Sequence, residues 1–269
     1  MKILIRTFIL LMILVLSSVS LAKPEPFLDD QDIQEIMNKN KVKGTMILSS
    51  QNDENTYVYN YKRANLRLSP ASTFKIANSI IALEEGVIKD HYEIIKWDGQ
   101  KRYLDEWNKD QNLKTAFKSS CVWFYQELAK KIGKKKYSKQ LEKLGYGNHL
   151  IGDKVTSFWL QQGGAILKIT PFEQIKFLKK IYNRQLGISD NTYNILKDIM
   201  LNEDSETYKI FSKSGAATEN WNGHGWYVGY IISKGKTWFF ATNILINNLD
   251  DLPKRKDVTM QALKKKGIF

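Results

Sequence analysis

The segment Pro70-Ala-Ser-Thr-Phe-Lys75 places a serine and a lysine three residues apart at the start of an apolar helical pattern. Three residues are close to one helical turn, so Ser72 and Lys75 share one face and the amine can reach the hydroxyl. The N-terminus of a helix adds free N–H groups and a positive dipole end, which stabilise an oxyanion. The pair therefore predicts nucleophilic catalysis, with the serine attacking and the lysine acting as its base.

Two later motifs strengthen this prediction. The Ser-x-x-Lys spacing alone is weak evidence, because it also occurs at 20–23 and at 233–236, and a helix cap beside a solvated lysine would explain it as well. However, Ser120-Cys-Val122 and Lys213-Ser-Gly215 follow in the order that penicillin-recognising serine enzymes use. The three motifs in this order indicate an enzyme of that kind.

Other catalytic chemistries lack the necessary residues. The histidines are His91, His149 and His224, and none lies in a triad or metal-ligand spacing. The sequence has no Gly-x-Ser-x-Gly nucleophile elbow. Cys121 is the single cysteine, so no intramolecular disulfide is possible. We therefore predict neither a bound metal ion nor a nucleotide cofactor, and lysine remains the plausible base.

The formal charge of +13 suggests a nucleic-acid or membrane-surface partner. The lysines are nevertheless scattered over helical-looking stretches, 101–143 and 254–266, which is typical of solvated faces. No nucleic-acid recognition motif accompanies the charge. We predict no nucleic-acid partner, and the charge leaves the oligomeric state open.

The N-terminus has the layout of a secretory signal peptide. Basic residues in 1–6 precede an apolar run over 8–16, and the small residues Ser20 and Ala22 suit cleavage after Ala22. The run is too short to span a bilayer comfortably, and no cysteine follows it as a lipid-anchor site. We therefore expect residues 1–22 to be removed, residues 23–269 to form a single catalytic domain, and the mature protein to be periplasmic without a stable membrane anchor.

The elements that must position these motifs are predicted from hydrophobic periodicity and turn residues. Strands near both ends of the mature chain enclose a long helical region, which predicts an α+β (α/β) fold: a mixed or antiparallel sheet flanked by helices, with an inserted helical lobe. The predicted helices are 30–40, 72–85, most of 103–200 and 254–266, and the predicted strands are 44–49, 56–61, 208–213, 225–233 and 236–245.

With these motifs in place, the sequence resembles the class D, oxacillinase-type serine β-lactamases over essentially the whole mature chain. The Tyr-Gly-Asn and Phe-Trp-Leu elements distinguish this class from other serine β-lactamases. The segments that carry the resemblance are Ser72-Thr-Phe-Lys75, Ser120-Cys-Val122, Tyr146-Gly-Asn148, Phe158-Trp-Leu160, Lys213-Ser-Gly215, Gly225-Trp-Tyr-Val-Gly229 and Leu252-Pro-Lys-Arg255.

The resemblance implies a penicillin-binding-protein transpeptidase-like fold with the active site between the sheet and the helical lobe. Ser72 would attack the β-lactam carbonyl, and the backbone N–H groups of Ser72 and Ala216 would form the oxyanion hole. Lys75 would carry a carbamate formed from carbon dioxide or bicarbonate and act as the general base. Trp159 would hold that carbamate through its indole N–H.

The resemblance also assigns roles around the substrate. Ser120 and Lys213 would relay a proton to the leaving nitrogen, and Ser214 and Arg255 would bind the substrate carboxylate. Arg255 is also open to interpretation as one more surface charge in a basic run. An apolar wall would favour the neutral amine of Lys75 and limit water. That wall would comprise Phe74, Val122, Trp159 and Leu160.

Three positions depart from the family pattern. The stretch 161–167 is longer than the usual link, Trp123 stands where a smaller residue or a proline is expected, and Ser214 replaces the commoner threonine. Two alternatives also remain open: a β-lactam sensor that stays acylated, and a penicillin-binding peptidase. The sensor is normally tethered to a membrane, and the Tyr146-Gly-Asn148 and Trp159 elements disfavour the peptidase.

Overall fold

The computed structural model describes residues 29–161, 165–220 and 222–269, so the predicted signal peptide and part of the 161–167 stretch lie outside the described residues. Within these ranges, strands near both ends of the chain enclose a long run of helices, as expected for an α+β protein. The helices are α1 (Gln31–Lys39), α2 (Tyr61–Ala64), α3 (Lys75–Glu84), α4 (Leu113–Lys118), α5 (Val122–Leu144), α6 (Pro171–Tyr182), α7 (Asp190–Met200) and α8 (Asp251–Lys265), with 3₁₀ turns at Ala71–Phe74 and Asp105–Trp107.

The strands form one six-stranded antiparallel sheet in the order β2-β1-β6-β5-β4-β3. Strand β1 from the N-terminal part pairs with β6 from the C-terminal part, which confirms a sheet built from both ends with helices inserted between them. The strands are β1 (Gly44–Ser50), β2 (Thr56–Tyr59), β3 (Leu201–Asp204), β4 (Tyr208–Glu219), β5 (Asn222–Ser233) and β6 (Lys236–Ile246).

Two hydrophobic cores cover the two faces of this sheet. Helices α1 and α8 pack on one face, around residues such as Ile33, Phe240 and Leu263. The other face carries α6, α3 and the helical region, whose buried aromatic rings pack around Phe74. Each buried large apolar side chain contributes about 1.5–3 kcal/mol, so this aromatic cluster anchors the start of α3.

The structure differs from the predicted elements in two places. Strand β3 was not predicted, because its residues Leu201–Asp204 are mostly polar and mostly exposed, and only backbone pairing with β4 makes them a strand. The stretch 145–170, predicted as part of the helical region, contains no α-helix in its described residues. Tyr146, Phe158 and Trp159 of this stretch are nevertheless buried in the core. Apolar residues here therefore indicated burial and not a helix.

Candidate active site

The predicted nucleophile and base lie at the junction of two helical elements. Ser72 belongs to the 3₁₀ turn Ala71–Phe74, and Lys75 is the first residue of α3. The Lys75 Nζ donates a hydrogen bond to Ser72 Oγ over 2.9 Å. Ala71, just before the nucleophile, has a φ of 48°, a conformation that costs a residue with a side chain about 1–3 kcal/mol. The surrounding contacts must hold this strained turn.

The backbone carbonyl of Ser69 supplies part of that support. It accepts hydrogen bonds from the Trp226 indole over 2.8 Å and from the His224 ring over 2.9 Å. The Ser69 hydroxyl in turn donates to the backbone carbonyl of Trp159. The turn before the nucleophile is therefore tied to β5 and to the Trp159 segment.

The environment of Lys75 favours its neutral form. Its side chain is fully buried, and burial lowers the pKa of Lys75 to about 7, with the neighbouring Cys121 thiol acting weakly in the opposite sense. The ammonium position lies 5.2 Å from the centre of the Tyr125 ring. At neutral pH a large fraction of Lys75 is therefore unprotonated and able to accept a proton or react as an amine.

Strand β4 lies directly against the nucleophile. A Cβ added to Gly215 would stand 3.2 Å from the backbone nitrogen of Ser72 and 3.1 Å from that of Thr73, so a side chain at this position would crowd the nucleophile turn. Ala216 follows and pairs with Gly225 of β5. The β4 backbone thus lies beside the Ser72 N–H. An oxyanion hole made by N–H groups of two separate chain segments requires such an approach.

The second motif pair meets close to the nucleophile and its base. Lys213, on β4, donates from Nζ to Ser120 Oγ over 2.5 Å and to the carbonyl of Ser214 over 3.1 Å. Ser120 lies in the turn between α4 and α5. Burial holds the pKa of Lys213 well below its usual range, and the positive charges of Lys75 and Arg255 lower it further. A lowered pKa makes the Lys213 ammonium a stronger acid, so it can pass a proton to Ser120 more readily than an ordinary lysine could.

Arg255 brings a cation from α8 to the same place. Its Nη1 donates to the backbone carbonyl of Gly215 over 3.3 Å. Burial lowers the pKa of Arg255 to about 10, which leaves it charged at neutral pH. Among the described residues it has no carboxylate partner. Lys213, Ser214 and Arg255 also line a cavity of about 440 Å³, whose lining does not include Ser72, Lys75 or Ser120.

Trp159 is fully buried with its ring 5.5 Å from that of Phe74. Its indole N–H has no hydrogen-bond partner among the described residues. A buried unpaired donor costs about 1–3 kcal/mol, so such a group commonly marks a place where another acceptor binds. Within the described ranges, no group of three or more histidine, cysteine or acidic side chains is arranged to hold a metal ion.

Comparison with known proteins assigns this arrangement to a family. A model of the penicillin-binding protein transpeptidase domain matches residues 36–264. The crystal structure of FUS-1 (OXA-85), a class D β-lactamase from Fusobacterium nucleatum subsp. polymorphum, is similar with a TM-score of 0.86 and 35% identity, covering 90% of this chain and 100% of that one. The chain belongs to the class D β-lactamases.

Other relatives agree. This serine β-lactamase is 42% identical over 231 residues to beta-lactamase OXA-48 of Klebsiella pneumoniae, covering 86% of each sequence. It also resembles the crystal structure of a class D β-lactamase from Sebaldella termitidis, with a TM-score of 0.84, 40% identity, and coverage of 88% of this chain and 96% of that one. The similarity therefore extends over nearly the whole domain in both sequence and fold.

The structure of this β-lactamase gathers most of the predicted site residues into one site, where the Ala71–Phe74 turn, β4 and the turn between α4 and α5 meet. Val122 and Leu160 are half-buried and pack against the large core, and their part in guiding water stays a prediction. The Ser-x-x-Lys at 233–236 is a tight β5–β6 hairpin, where Ser233 pairs directly with Lys236. The residues brought together by contact or close approach are Ser72, Lys75, Ser120, Lys213, Ser214 and Arg255, and Ala216 follows Gly215 on β4.

The sequence analysis missed three residues that support the nucleophile turn: Ser69, His224 and Trp226. The rings of His224 and Trp226 both bond to the backbone carbonyl oxygen of Ser69. Every residue type carries that oxygen, so no motif could have indicated it. Trp226 lies in the Gly225-Trp-Tyr-Val-Gly229 segment that carries part of the family resemblance, and this segment was the one sign in the sequence that Trp226 has a role.

Proposed function

We propose that this enzyme hydrolyses the β-lactam ring of penicillin-type antibiotics through an acyl-enzyme on Ser72, with a carbamylated Lys75 as general base, and so confers antibiotic resistance. The observation that carries the proposal is the 2.9 Å hydrogen bond between Ser72 Oγ and a buried lysine whose pKa is lowered to about 7. Relatives named as β-lactamases, such as OXA-48, support the same substrate class.

Each of these residues has a proposed role in acylation. Ser72 Oγ loses its proton to the base at position 75 and bonds to the lactam carbonyl carbon. The N–H groups of Ser72 and Ala216 stabilise the negative oxygen of the tetrahedral intermediate. As the carbonyl carbon–nitrogen bond breaks, the Ser120 hydroxyl gives a proton to the leaving nitrogen and is reprotonated from Lys213, its hydrogen-bond partner.

The surroundings of Lys75 fit a carbamate. The amine that reacts with carbon dioxide is the neutral one, and burial favours that form. The unpaired buried N–H of Trp159 is a donor suited to a carbamate oxygen. When present, the carbamate supplies a carboxylate-like general base for acylation and for water activation in deacylation. Trp159 would hold it, and the buried aromatic rings around Phe74 would exclude bulk water.

We expect carbamylation to depend on pH through Lys75 itself. Because the pKa of Lys75 is about 7, the reactive neutral fraction rises tenfold per pH unit below 7 and levels off above it. Enzyme stripped of carbon dioxide in acid would be returned to buffers of increasing pH at a fixed dissolved carbon dioxide concentration. The initial rate of ¹³C-carbamate formation should level off near pH 7–8. A rate that keeps rising to pH 10 would indicate an ordinary lysine and contradict the mechanism.

Arg255 and Ser214 are proposed to bind the ring carboxylate. Arg255→Ala should raise KM for benzylpenicillin by about 10–100-fold, since a charge-assisted hydrogen bond worth roughly 1.5–3 kcal/mol is lost, and change kcat much less. Lys254→Ala is the matched control, because Lys254 is the neighbouring cation on α8 and pairs with Asp251. Steady-state kinetics of both variants give the comparison. Equal KM values for the two variants would remove Arg255 from the substrate site.

The function is tested by the hydrolysis of a chromogenic cephalosporin by the mature protein, with and without added bicarbonate, with intact mass measured on the same samples. Turnover that increases with bicarbonate is the expected result. A stable adduct on Ser72 without turnover would contradict the proposal and support the sensor or peptidase alternative.

We also propose that the enzyme is exported to the periplasm after cleavage behind Ala22. None of the helices in the described part of the chain is long and apolar enough to cross a membrane. Expression of the full sequence in a Gram-negative host should yield activity in the osmotic-shock fraction and a mature N-terminus at Lys23. Activity confined to the membrane pellet would contradict this proposal.

A further inference from the structure

Trp123 forms contacts that the catalytic scheme does not use. It lies in the first turn of α5 and is almost completely buried. Its indole N–H donates to the backbone carbonyl of Trp107 over 2.8 Å, and the Trp107 indole N–H donates to the backbone carbonyl of Ser119 over 3.0 Å. These two hydrogen bonds and the chain from Ser119 to Trp123 form a closed ring, which we call the indole ring closure.

The indole ring closure encloses the turn that carries Ser120. Ser120 has a φ of 56°, in the left-handed region that a serine rarely adopts. This conformation places its hydroxyl 2.5 Å from Lys213 Nζ. If the turn relaxed to an ordinary conformation, the hydroxyl would move away from Lys213. The closure therefore holds a strained residue in the one geometry that the proton relay needs.

The outer side of the closure is held by a second set of contacts. The Arg102 guanidinium lies 5.5 Å from the Trp123 ring centre. Asp98 accepts two hydrogen bonds from that guanidinium, over 2.8 and 2.7 Å. The Trp123 indole is therefore fixed both by the hydrogen bond that it donates and by the cation on its face. A proline or small residue, which the family resemblance led us to expect here, has no side-chain N–H and cannot close this ring.

We propose that Trp123 is a positioning residue that acts through Trp107 and Ser119 to keep Ser120 aligned with Lys213 during proton transfer to the leaving nitrogen. The inference rests on the proposed function, because the relay matters only if Ser72 is acylated by a β-lactam. It predicts that the acylation step depends on Trp123 while the reaction of Lys75 with carbon dioxide does not.

The test compares Trp123→Phe with Trp97→Phe. Trp97 donates its indole N–H to the carbonyl of Gln100, so the control removes an exposed indole hydrogen bond that lies outside the Ser119–Trp123 chain. Stopped-flow acylation by a chromogenic cephalosporin should be about 10-fold slower for Trp123→Phe, and within twofold of wild type for Trp97→Phe. The bicarbonate concentration for half-maximal activity should be unchanged in both variants.

Opening the ring at its other bond gives an independent check. Trp107→Phe should slow acylation similarly, and the double variant should be no slower than the slower single one, because one cut already releases the turn. If Trp123→Phe does not fold, Trp107→Phe alone carries the test against Trp97→Phe. Acylation equal to that of the control, or losses that multiply in the double variant, would overturn the inference. A wild-type enzyme without β-lactam turnover would instead overturn the proposed function.

Discussion

Lys75→Ala is expected to lower β-lactam turnover by roughly 10³–10⁴-fold and to leave the acyl-enzyme on Ser72 as the accumulating species. General-base catalysis contributes about 10²–10⁴-fold to a single step. Lys75 is proposed to serve both acylation and deacylation, so its loss affects both barriers. Acylation should continue slowly, because the substitution leaves the proposed oxyanion hole and the Ser120–Lys213 pair in place. Deacylation has no remaining base to activate water.

The measurement combines steady-state hydrolysis with intact mass at successive times after substrate addition. Lys179→Met is a matched control, because Lys179 is also a buried lysine bonded to a serine hydroxyl, that of Ser49, but contacts none of the proposed site residues. It should retain near wild-type turnover when assayed below its melting temperature. Wild-type turnover by Lys75→Ala, or turnover without a detectable adduct, would exclude Lys75 as the base of deacylation.

Trp159→Phe should lower turnover by about 10–100-fold in air-equilibrated buffer, and added bicarbonate should restore part of the loss. The substitution keeps an aromatic ring beside Phe74 but removes the buried N–H that has no partner among the described residues. A charge-assisted hydrogen bond to a carbamate is worth roughly 1.5–3 kcal/mol, which corresponds to this range. Without it, carbon dioxide should leave Lys75 more readily.

The carbamate itself gives a readout that is independent of activity. The ¹³C signal of Lys75 after equilibration with labelled bicarbonate should half-saturate at a concentration about 10–100-fold higher in Trp159→Phe than in wild type. Trp238→Phe serves as the control, since Trp238 stacks on Tyr57 on the opposite side of the sheet from the Phe74 cluster. Equal saturation curves for Trp159→Phe and wild type would leave Trp159 as a core residue only.

The sequence by itself was enough to predict the proposed nucleophile and base and to predict the general architecture correctly. Ser72 and Lys75 are three residues apart, so local geometry alone brings them within hydrogen-bond distance. The strands β5 and β6 contain long apolar or aromatic runs bounded by turn residues, and such runs indicate buried strands. The order of the motifs along the chain then indicated the family, because residue types and their order can be read without knowing where each motif lies in the fold.

Only the tertiary structure decided how the distant parts meet. Ser120 and Lys213 are far apart along the chain, and their contact depends on the strained φ of Ser120, which no residue type specifies. Arg255 is a second example. Its hydrogen bond to the Gly215 carbonyl distinguishes it from an ordinary surface cation, and this contact depends on the fold. Backbone conformation and long-range packing arise from the whole chain at once, so the support that Trp107 and Trp123 give to the Ser120 turn emerged only when the fold brought these indoles together.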